Sequence, residues 1–182
     1  MKPNKKIQPQ RYLTTLIGVW SLLLSSLSNG VCENITQSTP DSRLIDNGDS
    51  TISDHATGLM WKQCSEGQSS DSACSGNFST HNWQEALQVA STLNAAAGFA
   101  GFNDWRLPNI KELRSIVEMA CHTPAINSNR FPNSDSGNYW SATASISNTN
   151  NAWRIEFGDG ETSDSRDSRT NSYAVRLVRN AQ

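Results

Sequence analysis

Beyond its first thirty residues the chain has no long apolar run, so nothing there reads as a membrane span. Histidine is scarce: His55, His81 and His122 share no zinc-ligand spacing with the cysteines, and no metal is expected. There is no Gly-x-Ser-x-Gly elbow, no His-Glu-x-x-His helix and no phosphate loop. That removes the common hydrolase, metalloprotease and nucleotide-binding signatures, and no cofactor is implied. No Gly-X-Y tract and no solenoid-length repeat occur. Positive charge is short as well. Lys2, Lys5, Lys6 and Arg11 fall in the first thirty residues, leaving 11 basic against 17 acidic residues and a net charge of −6 beyond them. A chain of that balance is not a general nucleic-acid binder.

The first thirty residues form a separate unit. Four basic residues precede the apolar run 13–27, and small and polar residues follow, which is the layout of a secretory signal peptide. The run is short and rich in Ser and Thr for an anchor, and cleavage after Gly30 fits. Val31 before Cys32 makes a poor lipidation site. The expected location is periplasmic, secreted or at the bacterial cell surface, with no membrane insertion after cleavage. Residues 31–42 read as a flexible N-terminal segment and 43–180 as one domain. An exported context permits disulfides, and Cys32, Cys64, Cys74 and Cys121 allow three pairings. Cys64 with Cys74 is favoured because it would close the polar loop 65–73. Cys32 with Cys121 would then tie the N-terminus to the end of a second helix.

What is present is organised around residues 103–117. They read as a short strand, a proline turn at Pro108 and a helix capped by Asn109, with Glu112 three residues on completing a capping box. Leu113, Ile116, Val117 and Ala120 predict one apolar face. A first helix should start at Asn82 with Glu85, burying Trp83, Leu87, Ala90 and Leu93 and closing at Gly98 or Gly101. Asn47-Gly48 predicts a hairpin, and Asp46, Asp49 and Asp54 read as turn residues rather than a calcium loop. Strands are predicted at 59–62, 139–143, 152–157 and 173–179, with the last alternating Ala174, Arg176 and Val178 against Tyr173, Val175, Leu177 and Arg179. Together these indicate an α+β domain.

Four blocks carry a resemblance. They are Asp46-Asn47-Gly48-Asp49 through Thr57-Gly58-Leu59-Met60-Trp61; Trp83-Gln84-Glu85-Ala86-Leu87; Asp104-Trp105-Arg106-Leu107-Pro108-Asn109 with Glu112-Leu113; and Tyr139-Trp140-Ser141-Ala142 through Ala152-Trp153 to Val175-Arg176-Leu177-Val178-Arg179. In order, from about residue 43 to 180, they resemble the secreted bacterial domain family named after the C-terminal domain of the collagen-like adhesin Lcl. The Arg-Leu-Pro…Glu-Leu block and the closing Val-Arg-Leu-Val-Arg also resemble the formylglycine-generating-enzyme branch of the C-type-lectin-like fold. The resemblance implies that fold: two helices flanking a mixed, mostly antiparallel sheet with long polar loops. The namesake implies binding to sulfated glycans, as a homo-oligomeric trimer. The enzyme branch uses cysteines in its C-terminal third; none follows Cys121 here, so a non-enzymatic protein is expected. Asp104 and Glu112 read as ion-pair and cap partners, and Trp105, Arg106, Pro108 and Glu112 as a structural hub.

Asn, Ser, Asp and Thr fill more than half of residues 133–172, yet a strand framework runs through them. Adaptable polar loops on a rigid scaffold suit a recognition surface. The candidate contacts are Asn138, Tyr139, Trp140, Asn148, Asn150, Asn151, Arg154, Arg166, Asp167, Arg169 and Asn171, and the expected partner is a cell-surface glycan or protein receptor. Tyr139 and Trp140 could stack on a ligand, whereas Trp61, Trp105 and Trp153 are assigned to the core. Arg154, Arg166, Arg169 and Arg176 could form a sulfate patch, although Arg176 reads better as a buried structural arginine. The composition also resembles the adenine-mutated variable region of diversity-generating retroelement proteins, with Asn150, Asn151, Arg166, Asp167, Ser168, Arg169, Asn171 and Ser172 as varied contacts. Against that, secreted loops are commonly rich in Asn and Ser. A structural or assembly role in an envelope complex stays open beside the binding role.

Overall fold

The computed structural model describes residues 31–165 and 167–181. The signal-peptide expectation therefore lies outside the described residues. Two helices form where the caps are. Asn82 accepts from the Glu85 N–H and Glu85 from the Asn82 N–H, opening α1 (Trp83–Ala96). Asn109 accepts from the N–H groups of Lys111 and Glu112, and Glu112 returns the bond, opening α2 (Ile110–Arg114). Both boxes satisfy donors that a helix start leaves unpaired. α1 ends where Gly98, at φ +67, donates to the Leu93 carbonyl; a Cβ there would collide with the Phe102 carbonyl.

The rest is mostly antiparallel sheet. β1 (Val31–Cys32) pairs with β6 (Cys121–His122). A four-stranded sheet runs in the order β11 (Val178–Asn180), β4 (Leu59–Lys62), β3 (Thr51–Asp54), β2 (Leu44–Asp46). A five-stranded sheet runs β5 (Thr80–His81), β10 (Tyr173–Ala174), β7 (Asn138–Ala144), β8 (Ala152–Glu156), β9 (Glu161–Ser163). Among the described residues, only the β10–β7 pairing is parallel. The β2–β3 hairpin is present, with Asp46 and Asp49 turned onto the N–H groups of Gly48 and Thr51.

Several expectations are corrected. The predicted closing strand divides: Tyr173 and Ala174 belong to one sheet, and Val178 onward to the other. Its alternation survives because both faces are covered. Ala174 and Val178 pack with Leu44, Trp61 and Tyr139, while Val175 and Leu177 pack with Ala86, Trp105 and Trp140. The strand expected over 103–107 reduces to a single bridge, Arg106 with Val178. α2 stops at Arg114, although apolar spacing continues. Val117 leaves to bridge Ile126, and the buried Glu118 carboxylate takes the N–H groups of Ser38, Thr39 and Ala120. Residues 31–42 are accordingly held against the domain, by those bonds and by the Cys32–Cys121 disulfide. That bridge and Cys64–Cys74 are the favoured pairs, with Cys121 in β6 rather than at a helix end. α1 buries Ala86 and Ala90 and leaves Leu87 38% exposed. Its small residues let the helix approach its neighbours closely, and that turns Leu87 outward.

Candidate functional site

Residues 104–112 form an ion-paired corner at the start of α2. Arg106 donates both terminal nitrogens to Glu112 at 2.7 and 2.9 Å and reaches Asn180 at 3.1 Å. Trp105 is buried, with its indole N–H on the Phe99 carbonyl. The Pro108 carbonyl accepts the Ala142 N–H, joining the hub to β7. Asp104 pairs instead with Arg179 at 2.7 Å, and that hydrogen bond holds its carboxyl below the usual range. Burial would raise Glu112, but the bonds from Arg106 and the Asn109 N–H outweigh it and lower its pKa. Both carboxylates are committed to structure.

Polar loop 145–151 joins β7 to β8, and polar loop 164–172 joins β9 to β10. Tyr139 and Trp140, proposed as ligand-stacking residues, are fully buried. β7 is covered on both faces, so adjacent side chains enter different cores: Tyr139 lies edge-on to Phe157, and Trp140 packs 4.5 Å from Tyr173. Trp153, assigned to the core, is only half-buried. Asn151 and Asp167 are buried too. The Asn151 amide donates to the Asp164 carbonyl at 2.7 Å. Asp167 accepts from Arg154 at 3.1 Å and from the Tyr173 hydroxyl at 3.0 Å, and Asn171 donates to that hydroxyl. Burial and the neighbouring Asp167 carboxylate push the Tyr173 phenol up. Asn138 sits half-buried opposite Glu156 in β8. These residues shape the loops from inside.

Among the described residues, two arginines of the expected sulfate patch are taken up by other partners. Arg154 faces Asp167, Glu156 and Glu161 at 3.1, 3.5 and 3.9 Å. Glu156, Asp159 and Glu161 bring carboxylate oxygens within 4.8 Å of one another, and Arg154 supplies cationic compensation there. Arg176 is wholly buried, as favoured, donating to the Lys62 and Gln63 carbonyls and to the hydroxyls of Ser65 and Ser134. Arg166 lies outside the described residues. Asn148 and Asn150 remain exposed on their loop.

Arg169 differs. Its guanidinium lies 4.3 Å over the Trp83 ring, and no carboxylate pairs with it among the described residues. It borders a groove of about 390 Å³ lined by Asn82, Trp83, Gln84, Leu87, Arg169 and Thr170. Sequence reasoning assigned Trp83 and Leu87 to the core, and only the rotation of α1 onto its alanines exposes this wall. The model of one protein family, the Lcl C-terminal domain, matches residues 50–179 of the chain. No curated protein matches it.

Proposed function

Because the chain belongs to the Lcl C-terminal domain family, we propose that it is an exported, adhesin-like binding domain that contacts a cell-surface glycan or protein receptor through loops 145–151 and 164–172, without catalysis. The single observation behind this reading is the division of labour in those loops. Asn151, Arg154 and Asp167 are tied inward, while Asn148, Asn150 and Thr170 stay exposed and Arg169 has no carboxylate partner among the described residues. A braced framework with exposed polar tips is what a recognition surface requires. Two disulfides fit an oxidising, exported location. The two helices and mixed sheet are compatible with a C-type-lectin-like scaffold. Trimerisation, implied by the family's namesake, is part of the proposal and is read by sedimentation.

Purified protein is tested on intact cells and on a glycan array. Binding should fall at least tenfold in Asn148→Ala/Asn150→Ala with no change in melting temperature. Failure to bind any surface would overturn the reading. If the loops are diversified by a retroelement, burial removes Asn151 and Asp167 from the varied contacts, since both are internal. A template repeat differing at adenines beside the gene is the check. An assembly role is favoured by a separate observation: Val31, Ile35 and Met119 are 60, 56 and 65% exposed near the β1–β6 ribbon. Co-purification of envelope proteins, lost on Val31→Ser/Met119→Ser, would support it.

A further inference from the structure

We propose that the groove between α1 and the 164–172 loop takes a single carboxylate-bearing sugar unit of a glycan, with Arg169 as the residue that reads the carboxylate. The proposal rests on the adhesin reading and assigns its ligand class. Arg169 is held on three sides. Its carbonyl accepts the Trp83 N–H at 2.9 Å, its N–H donates to Asn150 at 2.9 Å, and Nε donates to the Asn151 carbonyl at 3.1 Å. Stacking on Trp83 completes the hold, and the Trp83 indole is itself bonded to the Ser141 carbonyl at 2.8 Å. The two terminal nitrogens of Arg169 have no partner among the described residues. A guanidinium fixed in this way presents two parallel donors, the geometry that matches one carboxylate, and little side-chain freedom remains to be lost on binding.

The remaining walls suit a sugar. Leu87 offers an apolar surface for a ring's C–H face, while Asn82, Gln84 and Thr170 offer donors and acceptors for hydroxyls. About 390 Å³ lies within the size range of small-ligand sites. A second depression of about 390 Å³ opens on the other side of Leu87, walled by Ala90, Leu107 and Ala142, where the next sugar of a chain could lie. Charge argues for one anion rather than many. Arg154, the other described arginine of the loop face, is already surrounded by three carboxylates. A polysulfated chain crossing this face would meet Glu156, Glu161 and Asp164.

The test titrates the full chain with the methyl glycosides of glucuronic acid and of N-acetylneuraminic acid, with their uncharged methyl esters and with heparin. At least one acid should bind ten times or more tightly than its ester, and which acid does so identifies the source of the carboxylate. Arg169→Ala should bring the acid-to-ester ratio close to one. Leu87→Glu, at an exposed helical position that leaves folding unchanged, should weaken the acid at least tenfold and the ester less. Equal binding of acid and ester, or unchanged acid binding in both variants, would overturn the assignment. So would steeply salt-dependent heparin binding indifferent to Arg169. Cell binding that needs Asn148 and Asn150 but neither acid would overturn the ligand class and leave the adhesin reading intact. Absence of all binding would overturn both.

Discussion

Arg176 shows what one buried guanidinium does in this chain. It lies 4.8 Å over the Phe131 ring and supplies donors to two buried carbonyls and two buried hydroxyls. Burial lowers its pKa, with Tyr139 and the Glu66 carboxylate opposing that shift. Arg176→Leu should cost about 3–5 kcal/mol in urea unfolding, because it leaves buried acceptors unpaired. Glu118 is the acidic counterpart. Burial alone would raise its pKa, but N–H groups from Ala120, Ser38 and Thr39 and the Thr39 hydroxyl lower it below the ordinary 4.5. A depressed folded pKa means its contribution is complete above the unfolded value and is lost as pH falls through the folded one. The stability curve should therefore be flat down to about pH 4.5 from this group and decline below it. Glu118→Gln should flatten part of that decline in acid unfolding followed by circular dichroism.

At the scale of elements, the two capping boxes were legible because all their atoms lie within three residues of one another. Asn109→Ala removes the acceptor for Lys111 and Glu112 and should cost about 1 kcal/mol in chemical denaturation. Arg106→Ala breaks a half-exposed pair with Glu112 and the link to Asn180, and should cost about 1 kcal/mol. Its melting temperature should fall while ligand affinity stays within twofold. An unchanged melting temperature with binding abolished would make Arg106 a contact residue instead of a corner brace. The length of α2 was not legible, since spacing continues through Ile116 and Val117. What ends the helix is distant: Arg43, paired with Asp54, donates to the Ser115 carbonyl, and Ile126 and Ser38 hold the next residues.

Across the whole molecule the two disulfides differ most in what they enclose. Cys32 and Cys121 are 89 residues apart, Cys64 and Cys74 only 10. By chain entropy alone, the first should contribute about 4–5 kcal/mol and the second about 3 kcal/mol. Cys32→Ser/Cys121→Ser should therefore unfold at lower urea than Cys64→Ser/Cys74→Ser. The reverse order would show that the loop 65–73 depends on its bridge for native contacts. The long-range pairs Arg179–Asp104 and Thr39–Glu118, 75 and 79 residues apart, could be anticipated as types but not as partners.

The sequence by itself determined the α+β class, both helix starts, the turn roles of the aspartates and the family. Each depends on neighbours within a few residues or on an ordered set of local blocks. Only the tertiary structure decided which side of each element faces outward. Alternation in β7 looks the same whether one face or both are covered, so Tyr139 and Trp140 could not be told from surface residues. Helical spacing likewise does not say whether α1 rests on its leucine or on its alanines. Because it rests on the alanines, Leu87 and Trp83 border a groove under Arg169.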